Sequence, residues 1–231
     1  MMPSTESRSR KRSAAPLPAS IATDADLAAH VAALLGIAPQ FGALLDKAGP
    51  LPLRRTEPGF RGLFWIINGQ QISTAAARAI FSRVEAALGT VSADRVSEVE
   101  DAFLKTAGMS GAKIRTMRAV SEAILAGELD LGGLLELSPD DAIAHLTRVK
   151  GIGRWTAEVY LLFALGHPDI FPAGDLALKE GFRLAFDMAE RPAEKALAAR
   201  AEDWRPYRAA AARVLWAYYA AMKRVGNAAP V

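Results

Sequence analysis

Residues 146–157 read LTRVKGIGRWTA, and the fold follows from this stretch. Just upstream, residues 138–141 read SPDD, a strong helix start with a capping hydroxyl, a proline in the first turn and carboxylates near the positive helix end. The helix must end at residues 150–153, because two glycines flanking one apolar residue favour a tight turn. A second helix begins near Arg154. The sequence therefore predicts two helices joined by a hairpin.

The turn of this hairpin has the groups needed to hold a phosphate. The amides of Gly151 and Gly153, with the amino end of the second helix, would leave several N–H groups pointing out of the turn. Glycine has no Cβ atom, so a DNA backbone could approach closely. A Gly-x-Gly between helices fits a plain packing joint equally well, however, so the glycines alone do not decide the function.

The whole string 146–157 is more specific than its two glycines. It resembles the helix-hairpin-helix motif of the DNA glycosylase superfamily, and is most similar to the bacterial 3-methyladenine DNA glycosylase II (AlkA-like) branch. The resemblance runs from about residue 58 to 222 and is strongest over residues 146–179. It implies a role in base excision repair, with double-stranded DNA containing damaged bases as the partner. It also implies DNA contacts by four residues of the turn: Lys150, Gly151, Gly153 and Arg154.

A carboxylate, Asp175, stands between Gly174 and an apolar helical segment. Local evidence makes it a helix cap. The resemblance adds a catalytic role, since the family's catalytic aspartate holds this position, twenty residues after the Trp155 site, and the two roles are compatible. Cleavage of an N-glycosidic bond builds positive charge on the deoxyribose. A carboxylate can stabilise that charge and orient or deprotonate the attacking water.

Trp155 stands where bifunctional relatives carry the lysine that attacks the sugar and nicks the strand through a Schiff base. Tryptophan has no such amine, and Lys150 lies on the wrong side of the turn to replace it. An alkylated purine already carries positive charge, so it leaves without strong acid assistance. The resemblance therefore implies a monofunctional hydrolase that removes alkylated purines such as 3-methyladenine, leaves an abasic site and has no lyase activity.

An enzyme acting on a base in duplex DNA must rotate the nucleotide out of the stack. Electron-rich rings suit a cationic base, and the resemblance points to Trp155 and Trp216 as the base pocket, with core packing as the alternative for both. Residues 67–73 resemble the family's plug region, which fills the vacated space. Gln70 and Gln71 are the candidates there, against a simpler role as helix-surface amides.

One departure from the family pattern concerns the pocket. Val159 stands where the long bacterial members can carry a tyrosine, which leaves the substrate range open. Trp65, Tyr160, Trp204 and Tyr207 are predicted to be structural.

Charge says little about the folded part of the chain. The 28 Lys and Arg residues exceed the 25 Asp and Glu residues by three, and residues 1–12 alone carry a net charge of +3. Residues 13–231 therefore sum to zero. Two acid-free basic stretches remain, 105–118 and 148–154. A solvated helix face is the simpler interpretation of the first, whereas the second is the hairpin.

Composition excludes several classes of site. The chain has no cysteine, which excludes disulfides, thiolate zinc sites and cysteine-held iron–sulfur clusters. His30, His145 and His167 lie far apart, so surface or capping roles are predicted for them rather than metal ligation. We expect no cofactor and no catalytic metal. A structural metal ion on the hairpin carbonyls stays open.

Location and assembly are further expectations. No apolar run approaches the roughly 20 residues of a membrane span, and the start of the chain lacks the apolar core of a secretory signal. We expect a monomer in the cytoplasm, associated with the bacterial nucleoid and with no membrane partner.

The apolar pattern is helical throughout, without strand-like alternation. One long stripe runs over residues 63–84 and another helical pattern over 92–106. We predict a flexible basic tail over residues 1–20 and a helical DNA glycosylase domain over 21–231. The fold that we expect is all-α and two-lobed, with the active cleft between the lobes and no N-terminal β-domain.

Two other functions remain open. A non-enzymatic helix-hairpin-helix DNA-binding module would have no use for Asp175. A glycosylase for oxidised or deaminated purines would keep the fold and the aspartate but change the lesion, with or without lyase activity.

Overall fold

The structure is a computed structural model that describes residues 20–228, with side chains described to residue 224. The predicted basic tail over residues 1–20 lies outside this part, Ser20 excepted. The described residues form helices and turns without a β-strand, as predicted. The helices are α1 Asp24–Ile37, α2 Phe41–Ala48, α3 Gly59–Gly69, α4 Thr74–Leu88, α5 Ala93–Glu98, α6 Asp101–Thr106, α7 Gly111–Leu125, α8 Pro139–Thr147, α9 Arg154–Tyr160, α10 Leu176–Ala185, α11 Glu194–Ala201 and α12 Arg208–Ala228.

Side-chain caps explain where many of these helices begin. Thr23 and Asp26 form a reciprocal capping box at the start of α1. Serine hydroxyls accept a backbone N–H at the start of four more helices: Ser73 for α4, Ser92 for α5, Ser110 for α7 and Ser138 for α8. The start of α8 at Pro139 and of α9 at Arg154 confirms both helices of the predicted hairpin.

Helix α12 is the centre of the larger lobe and packs against α1, α2 and α10. Its residues 209–212 are four consecutive alanines with no solvent exposure, and their small side chains let neighbouring helices approach closely. Trp204 precedes it, almost fully buried, with its ring edge-on to Phe41 at 5.1 Å. The structural role predicted for Trp204 is confirmed, and Tyr160 is likewise fully buried.

The smaller lobe consists of α3–α7, and α3 joins it to the hairpin by packing against α9. Within the smaller lobe, α5 lies along α7 and α3 against α4. The cleft between the lobes is bordered by the end of α3 on one side and the start of α10 on the other. This arrangement confirms the predicted two-lobed, all-α fold.

Two predicted helical stretches are interrupted. The stripe over residues 63–84 is two helices, because Gln71 has φ +58°, which a right-handed helix cannot continue through, and Ser73 caps a new helix. The pattern over 92–106 is also two helices, since the backbone is extended at Val99 and Glu100. The sequence pattern predicts no helix over residues 41–48, where the structure has α2.

The histidines differ in part from the expectation. His30 is buried in α1, so its predicted surface position is wrong. His167 is also buried, and its Nδ1 accepts the backbone N–H of Asp169 in the loop before α10, where the bond caps no helix. None of the described helices has both the length and the apolar character that crossing a membrane requires.

Candidate active site

Asp175 is the N-cap of α10, as its local sequence predicts. Its Oδ1 accepts the backbone N–H of Leu178 at 2.8 Å, which satisfies one of the free amides at the helix start. The side chain is half-buried at the wall of the interlobe cleft. The cap therefore fixes the carboxylate at the edge of the space where a ligand would enter.

Two tryptophans from other helices donate to the same carboxylate. Trp155 Nε1 on α9 donates to Asp175 Oδ2 at 3.0 Å, and Trp216 Nε1 on α12 donates to Oδ1 at 2.9 Å. A carboxylate has about four acceptor positions, and protein donors occupy three of them. The fourth belongs to Oδ2 and is left for a group in the cleft. The structure thus brings together three residues that the sequence predicted as a site.

The interlobe cleft has a volume of about 520 Å³. Its lining consists of Gln70, Gln71, Gly151, Gly153, Trp155, Thr156, Gly174, Asp175 and Leu176. Most of the predicted site residues are in this lining, and Trp216 is hydrogen-bonded to it through Asp175. The cleft therefore joins the hairpin turn, the aspartate and the predicted plug segment.

A second groove of about 560 Å³ shares Trp155 with the cleft. Its wall includes Trp65, Val159 and Phe163, and the Phe163 ring is tilted 30° from that of Trp216 with 5.4 Å between centroids. Trp65 packs edge-on against a core phenylalanine, in keeping with its predicted structural role, and is also exposed to this groove. Three aromatic side chains, those of Trp65, Trp155 and Phe163, thus line this groove.

The two hairpin glycines have different structural requirements. Gly151 has φ +97°, and a Cβ atom there would lie 2.1 Å from Thr116 Oγ1 on α7. Gly153 has φ −84°, and a Cβ atom there would meet no described atom within 4 Å. Gly151 is therefore needed by the fold, whereas Gly153 leaves open space in front of the first amides of α9.

The two basic residues of the turn do not line the cleft. Lys150 is exposed beside a groove between α7 and α8 that also contains Glu122 and Glu128. Arg154 is exposed, but its Nε donates to Glu158 Oε1 at 2.9 Å. Arg154 Nη2 also lies 4.0 Å from Asp140 Oδ1. The predicted DNA contacts of Lys150 and Arg154 would thus be made outside the cleft.

Glu158 is a residue that sequence reasoning missed. It is buried, with 5% of its side chain exposed, and burial raises its pKa to about 7, partly offset by Arg154. The sequence signal that could have found it is its spacing, because a glutamate four residues after Arg154 on one helix can form an ion pair with that arginine. The neighbouring Thr156 was also missed; its Oγ1 accepts Gln70 Nε2 at 2.9 Å.

Gln70 and Gln71 have different surroundings in the structure. The Gln70 amide is hydrogen-bonded to Thr156 on α9, whereas Gln71 is exposed on the cleft side with the positive φ already noted.

As for metals, the described residues contain no group of three or more His, Asp or Glu side chains placed to hold an ion.

Comparison with known proteins gives consistent matches. The family model "HhH-GPD superfamily base excision DNA repair protein" matches residues 64–206. The DNA-3-methyladenine glycosylase 1 of Schizosaccharomyces pombe is 32% identical over 168 residues, which are 71% of this chain and 73% of the relative.

Two solved structures are similar over most of the chain. The DNA-3-methyladenine glycosidase from Bacillus halodurans is 31% identical with a TM-score of 0.76, over 84% of this chain and 91% of that chain. The Schizosaccharomyces pombe 3-methyladenine DNA glycosylase, in complex with abasic DNA, is 28% identical with a TM-score of 0.69, over 81% of this chain and 95% of that chain.

Proposed function

Because the chain belongs to the HhH-GPD superfamily of base excision DNA repair proteins, we propose that it is a DNA glycosylase that removes alkylated purines such as 3-methyladenine. The observation that carries the proposal is Asp175, held at the wall of the cleft by Trp155 and Trp216. A relative of similar length has been solved with abasic DNA, the type of product that base removal leaves.

Asp175 would act on the sugar rather than on the base. As the N-glycosidic bond lengthens, positive charge develops on the deoxyribose, and a fixed carboxylate stabilises it without reorganising at the moment of reaction. The free acceptor position on Oδ2 can orient the attacking water and receive its proton. The three donors keep the carboxylate in place before the substrate arrives.

The base itself would lie among the aromatic rings. A cationic alkylated purine is attracted to the face of a tryptophan by cation–π forces worth roughly 0.5–2 kcal/mol. The N–H groups of Trp155 and Trp216 donate to Asp175, so the nitrogen-bearing edge of each ring is held at the carboxylate. Binding and chemistry would therefore share the same two side chains.

We also infer base removal without strand cleavage. A lyase needs an amine at the sugar, and neither the cleft nor the groove beside Trp155 has a lysine in its lining. Lys150 lies by the α7–α8 groove. Borohydride treatment during turnover should therefore trap no covalent protein–DNA adduct; a trapped adduct would contradict this inference.

The test of the main proposal is release of methylated bases from alkylated DNA by Asp175→Asn. Asparagine is also a good N-cap, so α10 should form, while the negative charge at the sugar is removed. We expect release to fall by at least about 100-fold, a reduction typical of one transition-state electrostatic contact. Asp94→Asn, an exposed first-turn aspartate on α5, is the matched control and should keep wild-type activity.

The same assay separates the other functions. If Asp175→Asn released bases at the wild-type rate, the proposed mechanism would be wrong, and if wild type released none, a DNA-binding module would be favoured. Oligonucleotides that each carry one alkylated, deaminated or oxidised purine would then define the lesion.

A further inference from the structure

Lys113 differs from the solvated lysine that its basic stretch predicts. The residue is half-buried, and its ammonium group donates to the backbone carbonyl oxygens of Asn68 at 2.7 Å and Gln70 at 2.8 Å. Burial lowers its pKa. These carbonyls lie at the carboxyl end of α3, where the helix dipole favours a cation. Lys113 therefore anchors the end of α3 to α7.

The same short segment is also tied to the hairpin helix. The Gln70 side chain donates to Thr156 Oγ1 on α9, and buried Asn68 donates from Nδ2 to the backbone oxygen of Ala77 on α4. Residues 68–70 are thus fastened to three helices. Gln71 follows directly, exposed and in the left-handed region, so its side chain leaves the anchored segment at the cleft.

Helix α7 contacts the hairpin as well. Thr116, one turn beyond Lys113, lies so close to Gly151 that any Cβ atom there would clash with it. Residues three apart share a helix face. One face of α7 therefore supports both the turn proposed to hold phosphate and the segment that precedes Gln71.

We propose that α7 is a positioning helix, in which Lys113 and Thr116 set the offset between Gln71 and the hairpin so that Gln71, and not Gln70, enters the duplex. This inference rests on the proposed glycosylase function. A side chain that fills the space of a flipped nucleotide must enter the stack at a fixed distance from the phosphates held by the hairpin. Gln70 is unsuited to that role because its amide is engaged with Thr156.

The physical expectation concerns the Lys113→Met change, which keeps most of the aliphatic stem and removes the donor. The two carbonyls can be solvated by water at this half-buried site, so the chain should still fold, but residues 68–71 are no longer anchored to α7. The hairpin and its phosphate contacts stay intact. Flipping should therefore suffer while general DNA binding does not.

The first experiment measures binding and flipping separately. Affinity is measured on an undamaged duplex, and flipping by the fluorescence of 2-aminopurine placed beside a stable abasic-site analogue. For Lys113→Met we expect undamaged-duplex affinity within about twofold of wild type and a flipping equilibrium reduced about tenfold, which corresponds to about 1.4 kcal/mol. Lys105→Met, which removes an equal charge from an exposed position on α6, should change neither.

Salt dependence distinguishes positioning from a direct phosphate contact. If Lys113 touches a phosphate, its removal lowers the slope of log affinity against log salt by about 0.9. An unchanged slope is expected, and a drop of that size would overturn the proposal.

The decisive measurement is a double-mutant cycle with Gln71→Ala. If Lys113 acts through Gln71, Lys113→Met should have no further effect on flipping in the Gln71→Ala background. Effects that simply add, or a larger reduction for Gln70→Ala than for Gln71→Ala, would overturn the proposal. These readouts need no base release, so a wild type that flips but releases no alkylated base would contradict the proposed function and leave the positioning role standing.

Discussion

Asp175 receives hydrogen bonds from residues of three helices, namely Leu178 of α10, Trp155 of α9 and Trp216 of α12. A capping aspartate needs only the first of these bonds. The two indole donors also connect Asp175 to α9, the second helix of the hairpin, and to α12. Changes in either tryptophan should therefore be transmitted to the carboxylate.

Trp216→Phe should reduce activity more than stability. The ring area is largely kept, but Oδ1 is deprived of a donor and the carboxylate is less firmly oriented. We expect about a tenfold slower single-turnover release, because one hydrogen bond to a charged group contributes about 1.5–3 kcal/mol and part of it is regained from water. Release from methylated DNA and thermal unfolding are the two measurements.

Trp204→Phe is the matched control for this change. The Trp204 Nε1 has no hydrogen-bond partner among the described residues, and its ring lies in the core. This variant should be less stable because of the smaller volume and should keep its release rate when folded. The reverse pattern for the two tryptophans would contradict the roles assigned to them.

Glu158 gives a pH dependence of stability. Its folded-state pKa of about 7 lies above the ordinary value of 4.5, so the folded protein holds this proton more tightly. Protonation of Glu158 therefore favours the folded state at low pH. This contribution to stability weakens as the pH rises from 4.5 through 7, and above pH 7 the ionised, buried carboxylate is fully unfavourable. Glu158→Gln should be more stable than wild type at pH 8 by up to about 3 kcal/mol and should approach wild type near pH 5.

Glu180 is the control carboxylate, because its pKa is shifted in the opposite direction to that of Glu158. Arg183 lowers the pKa of Glu180 by hydrogen bonding, so its ionised form favours folding and that contribution disappears at low pH. Glu180→Gln should therefore be less stable than wild type at pH 8. Denaturant unfolding across this pH range measures both variants. A Glu158→Gln protein that is less stable at pH 8 would show that the Arg154 bond outweighs the burial of Glu158.

At the scale of elements, the hairpin is defined by the positions at which its two helices begin. Ser138 caps α8 and Gly153 precedes α9, both where the sequence predicts them. These signals are local, since a cap and a turn depend on backbone groups a few residues away. The close approach of Thr116 to Gly151 joins distant parts of the chain and follows from no local signal.

The two glycines should respond differently to alanine. Gly151→Ala places a side chain at positive φ against Thr116 and should cost at least about 1–3 kcal/mol of stability. Gly153→Ala should fold normally, because its φ is ordinary and the space is open. If a DNA backbone passes over this turn, Gly153→Ala should still weaken duplex binding, by about tenfold for a contact worth about 1.4 kcal/mol.

Gly36→Ala on α1 is the control for the added methyl group, since a Cβ atom there also meets nothing within 4 Å. It should leave DNA affinity unchanged. Thermal unfolding and duplex titration distinguish the variants, and wild-type DNA affinity for Gly153→Ala would mean that the turn does not touch the backbone.

At the scale of the whole molecule, charge is unevenly distributed along the chain. Residues 1–12 carry a net charge of +3, whereas the charges of residues 13–231 sum to zero. General electrostatic attraction to DNA can therefore be tested separately from local contacts at the site. Every residue of the cleft belongs to the second part.

Removal of residues 1–12 should weaken binding to undamaged duplex and lower its salt dependence, by about 0.9 in the log–log slope for each phosphate that these residues neutralise. The single-turnover rate at saturating enzyme should not change, because Asp175 and the tryptophans are untouched. Titrations at several salt concentrations, with single-turnover release as the companion assay, test this. An unchanged slope would mean that the first residues do not touch DNA.

Local sequence was enough to predict the all-α fold, the hairpin at residues 146–157 and the cap at Asp175, because caps, glycine turns and helical period act over a few residues. Resemblance to a family added the catalytic role expected for Asp175 and the base-pocket role expected for Trp155 and Trp216, whereas the hydrogen bonds among them came from the structure. Three features appeared only in the tertiary structure, namely the break at Gln71, the burial of Glu158 and the bond from Lys113 to the end of α3. Those features depend on which helix faces meet, and residues far apart in sequence meet only when the whole core has formed.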